Sequence, residues 1–343
     1  MPQVLFRPVT RRNPFRVVEL PACVKFSIYA ERQRSRTKRR WLGKAAKLLF
    51  RTVHHRLGLP ATGRMHLAGA GGSAVELVFD ASNTHYGYLY RPGTAAGYEP
   101  MTSALLDSLV PDKGVFYDIG SNWGYFAIFI ASRQGFEGKV HAFEPLSAVH
   151  GDLESLVAQA GFEDRVVCHH KALSDRAGLG TISTHRGFHS ALARLDDGGS
   201  GEKVALARLD DLDIPPPDVM KIDVEGHEAR VLDGARGILR QHQPMIVFES
   251  WERPDDPGLT LGPFRVLAGL GYEFFRPMWQ VTDGDSAYLI DDVAALKGAE
   301  TGTLALLPFL AEHRFAFGRD INVFACHRQR LEGIGQGVRP ALS

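Results

Sequence analysis

The amino-acid sequence predicts an α/β fold, a doubly wound and mostly parallel seven-stranded sheet that follows a basic N-terminal extension. Three observations predict it. Short apolar segments alternate with longer segments of helical period over residues 111–335. A glycine-rich turn joins the first apolar segment to a helix at residues 118–124, and acidic residues follow several of the other segments. In open α/β sheets, such turns and strand ends form the ligand site.

The strands follow from the apolar segments. They are Val115–Ile119, Val140–Phe143, Val166–His169, Val219–Ile222, Met245–Phe248, Tyr272–Phe275 and Ile321–Ala325. Between the fourth and fifth, apolar residues from Val231 to Leu239 mark one helix face, which Pro244 cannot continue. Residues 277–317 show no clear period.

The chain length and composition allow one large domain with an extension. The 343 residues are 44 % apolar, enough for a full core. The predicted parts are a basic extension at 1–62, a main domain at 63–335 and a tail at 336–343. Within the main domain we distinguish a β/α lead-in at 63–110, a ligand-binding core at 111–250, and C-terminal strands with an insertion at 251–335.

Two smaller patterns predict local structure. Alternating apolar residues between Met65 and Leu89 indicate a small β element ahead of the main sheet, followed by a helix at about 100–110. The segment A-L-A-R-L-D-D occurs at 191–197 and again at 205–211, with a glycine-rich stretch between the copies. Two alternating segments joined in this way predict a β-hairpin.

The cysteines and the hydropathy bear on the compartment. Cys23, Cys168 and Cys326 are widely spaced and form no C-x-x-C pair, so neither a disulfide framework nor a zinc cluster is indicated. No stretch reaches the ~20 apolar residues of a membrane span, and the arginine-rich first twenty residues lack a signal core. A cytoplasmic protein is expected.

The extension is strongly basic. Residues 1–64 hold 16 Lys and Arg against two acidic residues, whereas the remainder holds 24 against 37. Within residues 31–57, Trp41, Ala45, Leu48 and Leu49 recur at helical spacing beside the basic residues. This amphipathic helix could lie peripherally on an anionic membrane, pack on the acidic main domain, or belong to a flexible tail. Nucleic acid is not favoured as a partner, because aromatic residues are not interleaved among the arginines.

The most informative motif is V-F-Y-D-I-G-S-N-W-G at 115–124. Gly120 and Gly124 let the backbone approach a ligand, while Ser121 and Asn122 lie in the turn between them. Asp118 stands where a dinucleotide-binding turn would begin, and its carboxylate would repel a pyrophosphate. It suits the cationic methionine end of S-adenosylmethionine. A tight strand-to-helix turn with a capping Asp is the structural alternative.

Two further motifs end neighbouring strands. H-A-F-E-P ends the second strand and places Glu144 where an acidic side chain can accept both ribose hydroxyls. M-K-I-D-V-E-G-H-E at 220–228 ends the fourth strand, so Asp223, Glu225 and His227 should face the same crevice as Asp118. For Glu228 we prefer a structural role at a helix start.

The combined motifs resemble the FkbM-type methyltransferases. The resemblance rests on D-I-G-S-N-W-G-Y-F at 118–126, F-E-P at 143–145, A-L-S-D at 172–175, R-L-D-D-L at 208–212, K-I-D-V-E-G-H-E at 221–228 and V-L-D-G-A at 231–235. It implies a class I, Rossmann-like methyltransferase fold with S-adenosylmethionine as donor. It also implies that Asp118, Gly120, Asn122, Gly124 and Glu144 contact the donor, with Ser174 and Asp175 near adenine.

The expected activity is O-methylation of a hydroxyl on a natural product, sugar or glycan. The hydroxyl proton could leave to Asp223 or His227, with Glu225 orienting the imidazole or accepting a substrate hydroxyl. A divalent cation held by Asp223 and Glu225 is possible but not favoured, since no ligand spacing demands one. Two other functions stay open: a nucleic-acid or protein methyltransferase recruited by the extension, and a non-catalytic binding protein that retains the fold.

Overall fold

The structure is a computed structural model, and it describes residues 4–36, 40–57, 59, 61–68, 74–81, 83–90, 97–183, 194–196, 201–283, 286–291 and 301–334. Its helices are α1 Ala22–Arg36, α2 Arg40–Phe50, α3 Gly87–Tyr90, α4 Pro100–Leu109, α5 Tyr125–Ala131, α6 Ser147–Ala160, α7 Glu228–Asp233, α8 Arg236–His242 and α9 Pro257–Ala268. Its strands are β1 Leu5–Thr10, β2 Phe15–Glu19, β3 Thr62–Ala68, β4 Ala74–Asp80, β5 Val115–Ile119, β6 Lys139–Phe143, β7 Val166–His169, β8 Ala172–Leu173, β9 Gly178–Ser183, β10 Arg194–Asp196, β11 Glu202–Ala207, β12 Val219–Ile222, β13 Met245–Ser250, β14 Tyr272–Asp283, β15 Ser286–Ile290, β16 Thr301–Pro308 and β17 Ile321–His327.

A ten-stranded mixed sheet forms the centre of the molecule. Its order is β1-β16-β14-β17-β13-β12-β5-β6-β7, and β15 pairs with β14. The five strands from β13 to β7 pair in parallel, whereas β17 runs antiparallel to both of its neighbours. The α/β class is confirmed, and all seven segments predicted as strands of the main sheet lie in this sheet.

The predicted number of seven strands is too small. The segment at 277–317, in which no period was visible, contributes the end of β14 together with β15 and β16. Strand β1, from the predicted extension, then pairs antiparallel with β16. In this last pairing Leu5 stands opposite Leu306, so no local pattern could indicate it.

The two faces of the sheet carry separate hydrophobic clusters. Phe116 and Tyr117, which are adjacent in β5, belong to different clusters, because successive strand residues point to opposite faces. Residues of α4, α5 and α6 build the first cluster, and residues of α7, α8 and α9 build the second. The loops at the strand ends are therefore held between two packed layers.

The N-terminal region is linked to the main domain by strand pairing. Strands β2, β3 and β4 form a small antiparallel sheet, and β3 and β4 are the β element predicted between Met65 and Leu89. The boundary predicted between residues 62 and 63 falls inside β3, whose partner β2 belongs to the predicted extension. No helix of the described residues has both the length and the apolar character needed to cross a membrane.

The predicted pairing of the two A-L-A-R-L-D-D copies is wrong. Strand β10, from the first copy, and β11, from the second, pair with opposite edges of β9. The strand that pairs with β10 is therefore β9. Its sequence, G-L-G-T-I-S, shows little alternation of apolar and polar residues, so it was not predicted as a strand. The glycine-rich residues 197–200 and the tail at 336–343 lie outside the described residues.

Candidate active site

A cavity of about 350 Å³ opens at the carboxyl ends of β5, β6, β12 and β13. This is the edge at which open α/β sheets bind their ligands. Its wall contains one glycine, several acidic residues, aromatic rings and other polar side chains. They include Tyr88, Tyr98, Glu99, Gly120, Ser121, Asn122, Trp123, Tyr125, Phe126, Glu144, Lys221, Asp223, Glu225, His227 and Glu249. His85, from a short helical turn at Thr84–Tyr86, completes one side.

The turn after β5 fits closely against the end of β12. Gly120 has a φ of +79°, and a Cβ placed there would lie 1.8 Å from the carbonyl oxygen of Asp223. Gly124 has a φ of +91°, and a Cβ there would lie 2.4 Å from Leu153 of α6. Both positions combine a left-handed conformation with no room for a side chain, so only glycine fits. The backbone of this turn forms one wall of the cavity.

Asp118, which precedes the turn in β5, is almost fully buried and is not among the residues that line the cavity. Its Oδ2 accepts a hydrogen bond of 3.0 Å from the backbone N–H of Ala127, at the start of α5. Its buried Oδ1 has no hydrogen-bond partner among the described residues. Burial raises the pKa of Asp118 to about 7, against the lowering effect of Lys221. A buried carboxylate with a spare oxygen is costly unless a donor or cation reaches it.

Glu144 lies in the wall itself. Its Oε2 accepts a hydrogen bond from the N–H of Asn122 at 3.1 Å, and its Oε1 accepts one from Leu146 at 2.9 Å. Burial raises the pKa of Glu144 to about 7, although these two hydrogen bonds oppose the shift. The bonds orient the carboxyl group and leave each oxygen a further lone pair for a ligand hydroxyl.

Asp223 forms a buried ion pair with Lys221, a residue that the sequence interpretation missed. The two side chains lie on the same side of extended backbone because they are two residues apart. Lys221 Nζ lies 2.7 Å from Asp223 Oδ2 and 4.6 Å above the ring of Phe126. Burial alone would raise the pKa of Asp223, but the Lys221 ammonium holds it below the usual value. Asp223 is therefore ionised at neutral pH.

Glu249 of β13 is a second missed residue. Burial, followed by the charge of Asp223, raises the pKa of Glu249 to about 10, so the Glu249 carboxyl is protonated at neutral pH. It can then donate its proton in the hydrogen bond that it shares with Asp223. Trp251 Nε1 donates to Glu249 Oε2 at 2.5 Å and fixes the carboxyl group.

Glu99 is the third missed residue, and it reaches the cavity from the start of α4. Its Oε2 accepts a hydrogen bond of 2.9 Å from Asn322 of β17. Burial raises the pKa of the Glu99 carboxyl, and the nearby Lys221 opposes that shift. Lys221 therefore provides positive charge within a group of acidic side chains, Glu99, Asp118 and Asp223, that come from three separate segments.

Glu225 is the predicted catalytic residue with the most unusual environment. It has a φ of +56°, and its buried Oε2 has no hydrogen-bond partner among the described residues. Burial, followed by the charge of Asp223, raises the pKa of Glu225 to about 8. Glu228 has the predicted structural role, since its Oε1 accepts hydrogen bonds from the N–H groups of Val224 and Gly226.

Backbone strain is concentrated at the cavity. Among the described residues, four other than glycine have a positive φ: Glu99, Asn122, Glu225 and Gln243. The first three line the cavity. Such conformations cost free energy and persist where the surrounding structure imposes them, commonly at functional sites.

His227 lines the cavity and also contacts a residue outside the cavity wall. Its Nε2 lies 3.0 Å from Ser174 Oγ, and Ser174 in turn donates to Asp175 Oδ1 at 3.0 Å. Ser174 and Asp175 are absent from the cavity wall, which contains their neighbours Lys171, Ala172 and Leu173 instead. The structure thus brings the residues expected near adenine into contact with the histidine expected to act in catalysis.

The tryptophans differ in their surroundings. Trp123 lines the cavity and stacks on Tyr86 with 4.8 Å between the ring centroids. Trp251 and Trp279 are buried and lie outside the wall. In the described part of the chain, no group of three or more His, Cys, Asp or Glu side chains has an arrangement suited to a metal ion.

Residues 117–278, slightly less than half of the chain, match the family model described as the methyltransferase FkbM domain. This match confirms the family resemblance of the motifs. A search of curated proteins gave no match.

Solved structures similar to this chain include three methyltransferases. Methyltransferase FkbM from Methylobacillus flagellatus KT is 16 % identical, with a TM-score of 0.37, and the match covers 57 % of this chain and 44 % of that chain. A SAM-dependent O-methyltransferase from Thermotoga maritima is 12 % identical, with a TM-score of 0.37, and the match covers 71 % and 78 %. An O-methyltransferase from Bacillus cereus in complex with SAH is 13 % identical, with a TM-score of 0.34, and the match covers 60 % and 78 %.

Proposed function

We propose that this chain, whose residues 117–278 form an FkbM methyltransferase domain, transfers a methyl group from S-adenosylmethionine to a hydroxyl oxygen of a small molecule, sugar or glycan. The observation that carries the proposal is the group of acidic side chains around the glycine turn, at the strand ends where ligands bind. Asp118, with its spare buried oxygen, lies outside the cavity wall but close enough to Glu144 and Asp223 to interact with their charges.

The residues present fit this donor. S-adenosylmethionine supplies a methyl group on a positively charged sulfonium. Asp118 and the ionised Asp223 favour the positive charges of the methionine end, and Glu144 can accept hydrogen bonds from the ribose hydroxyls. His227 and Ser174, beside the wall segment at 171–173, are assigned to the nucleoside end.

Glu225 is the best candidate for the group that takes the proton from the acceptor. A general base works best when its pKa lies near the working pH, and the pKa of Glu225 is about 8. Asp223 is a weaker base because Lys221 and Glu249 stabilise its ionised form. Asp223 therefore serves better to orient the acceptor or the donor ammonium. This assignment changes the predicted roles of Asp223 and Glu225.

A hydroxyl acceptor agrees with the residues that follow β12. A planar exocyclic amine is typically bound by an N-P-P-Y or D-P-P-Y motif, and D-V-E-G stands at 223–226 instead. A carboxyl with a raised pKa suits an alcohol, whose proton must leave during transfer. Most of the rate enhancement comes from holding acceptor and donor in line in one cavity. In well-aligned systems this lowers the activation free energy by ~7–11 kcal/mol.

The test is to incubate the protein with S-adenosylmethionine labelled in the methyl group and with a fractionated cell extract. The proposal expects label in small molecules or glycans, in an alkali-stable ether, and labelling at least ~10²-fold slower with Glu225→Gln. Label in RNA or protein would contradict the proposed acceptor. Donor binding without transfer to any fraction would favour the non-catalytic alternative.

A further inference from the structure

Helix α2 exposes an apolar face to solvent. Trp41, Leu48 and Leu49 are 63 %, 68 % and 45 % exposed, and Ala45 between them is exposed as well. The spacing of these residues places them on one side of the helix. Isolated exposed apolar residues are ordinary on protein surfaces, but a row of them on one helix face marks an interaction site.

The opposite side of α2 contacts the neighbouring helix α1. Helix α2 packs against α1, and Ala46 on α2 and Ala30 on α1 are both buried. The apolar face is therefore exposed while the helix itself is anchored. This excludes the expectation that the face packs on the acidic main domain.

Two more exposed leucines follow α2 in the chain. Leu57 and Leu59 are 65 % and 52 % exposed, after the helical turn Arg51–Arg56. His54 fixes this segment, because its Nδ1 lies 2.7 Å from the carbonyl oxygen of Leu59 and its Nε2 lies 2.6 Å from Cys23 Sγ of α1. The two leucines thus extend the same anchored structure.

The sequence that contains α2 is basic. Residues 32–51 contain nine Lys and Arg and no acidic residue. Lys44, one helical turn from Leu48, is exposed beside the apolar face. A protein interface usually excludes lysine from its centre. An anionic bilayer accepts both features, since apolar side chains and tryptophan enter the interface while basic side chains reach the headgroups.

We propose that α2 and the exposed leucines after it, residues 40–59, bind reversibly to the surface of an anionic phospholipid bilayer. The helix lies in the plane of the interface, with Trp41, Leu48 and Leu49 below the headgroups and Lys44 beside them. Helix α2 would lie on the lipid surface and would not span the bilayer, because it has only 11 residues.

The experiment is co-sedimentation of the full chain with vesicles of phosphatidylserine and phosphatidylcholine, and with phosphatidylcholine alone. Binding to the anionic vesicles should fall at least ten-fold in Leu48→Gln/Leu49→Gln and several-fold in Lys44→Glu. Leu179→Gln, which changes a 74 % exposed leucine of β9, is the matched control and should bind like the wild type. High salt should weaken binding of the wild type.

Tryptophan fluorescence gives an independent measurement. Trp41 is exposed, whereas Trp123, Trp251 and Trp279 are 4 %, 6 % and 2 % exposed. A blue shift of emission on anionic vesicles should therefore come from Trp41 and disappear in Trp41→Phe.

Three results would overturn the proposal. The first is equal pelleting of Leu48→Gln/Leu49→Gln and the wild type, and the second is no pelleting of the wild type on anionic vesicles. The third is a concentration-dependent dimer that the double substitution abolishes, without vesicle binding, which would identify a second copy as the occupant.

Discussion

Lys221 Nζ lies 2.7 Å from Asp223 Oδ2 in the interior, and both side chains come from the end of β12. The ammonium also opposes the rise in pKa that burial causes at Asp118 and Glu99, which reach it from other segments. One lysine therefore offsets much of the repulsion among the acidic side chains of the cavity. That balance leads to a prediction about stability.

We expect Lys221→Met to reduce the free energy of unfolding by ~3–5 kcal/mol at pH 8, as when one partner of a buried ion pair is removed. At pH 5 the loss should be smaller. Without Lys221 the pKa values of the buried carboxyl groups rise further in the folded protein, so these groups are protonated and uncharged at pH 5. As the pH increases they ionise close to one another, and their repulsion lowers the stability of the folded state. Urea denaturation at both pH values is the measurement. An equal loss at the two would contradict the proposed charge balance.

Donor affinity should depend on Asp118 and Glu144. We expect Asp118→Asn and Glu144→Gln each to weaken binding of S-adenosylmethionine by ~10–100-fold, the equivalent of a lost hydrogen bond to a charged group. NAD should bind more weakly than either S-adenosylmethionine or its demethylated product, since carboxylates repel a pyrophosphate. Calorimetry with all three ligands tests this. Glu137→Gln, at a 67 % exposed side chain, is the control and should leave the affinity unchanged.

Sequence patterns located the parts of the site that are local. Asp118, Glu144 and Asp223 stand at the ends of apolar segments, and each segment is a strand whose end faces the cavity. Lys221 could have been predicted from the sequence, because it is a charged residue within the apolar strand V-M-K-I and stands two positions before Asp223. That spacing indicates a pair on one side of the strand.

The remainder of the site depends on contacts between distant segments. Glu249 meets Asp223 only because β13 pairs with β12, and Glu99 approaches from α4. Ser174 meets His227 across 53 residues of sequence. Local periodicity predicts strands and their ends, whereas these side-chain pairs depend on strand order and helix packing.

His227 and Ser174 should affect the donor rather than the chemical step. We expect His227→Ala and Ser174→Ala to raise the KM for S-adenosylmethionine by several-fold and to change kcat little, because the proposed function assigns their contact to the nucleoside end. Steady-state kinetics with the donor varied separates the two parameters. A loss of kcat of ~10²-fold with unchanged KM would restore His227 as the general base.

Gly120 should tolerate no side chain. In Gly120→Ala the new Cβ would lie 1.8 Å from the carbonyl oxygen of Asp223, so the turn or the end of β12 must move. We expect loss of donor binding and a lowered Tm. Gly135→Ala is the matched control, since Gly135 has a similar φ of +82° with nothing within 4 Å. It should cost only the ~1–2 kcal/mol of the left-handed conformation. Equal effects of the two substitutions would show that residue 120 must be glycine because of its left-handed conformation, and not because of its close approach to Asp223.

The pH dependence of transfer should reveal Glu225. The pKa of Glu225 is about 8 in the free protein, because burial and the charge of Asp223 both disfavour its ionised form. A general base must be deprotonated to act, so kcat/KM for the donor should fall about ten-fold per pH unit below that pKa and level off above it.

Glu225→Gln should lower kcat ~10²-fold or more and abolish this inflection, while donor affinity stays within a few-fold of the wild type. Glu252→Gln is the control, since Glu252 follows β13 outside the cavity wall and should keep the wild-type profile. The cation of the bound donor favours the ionised form of Glu225, so the inflection in kcat should lie at lower pH than the one in kcat/KM. An unchanged inflection in Glu225→Gln would assign the proton transfer to another group, and Asp223→Asn would then be measured in the same way.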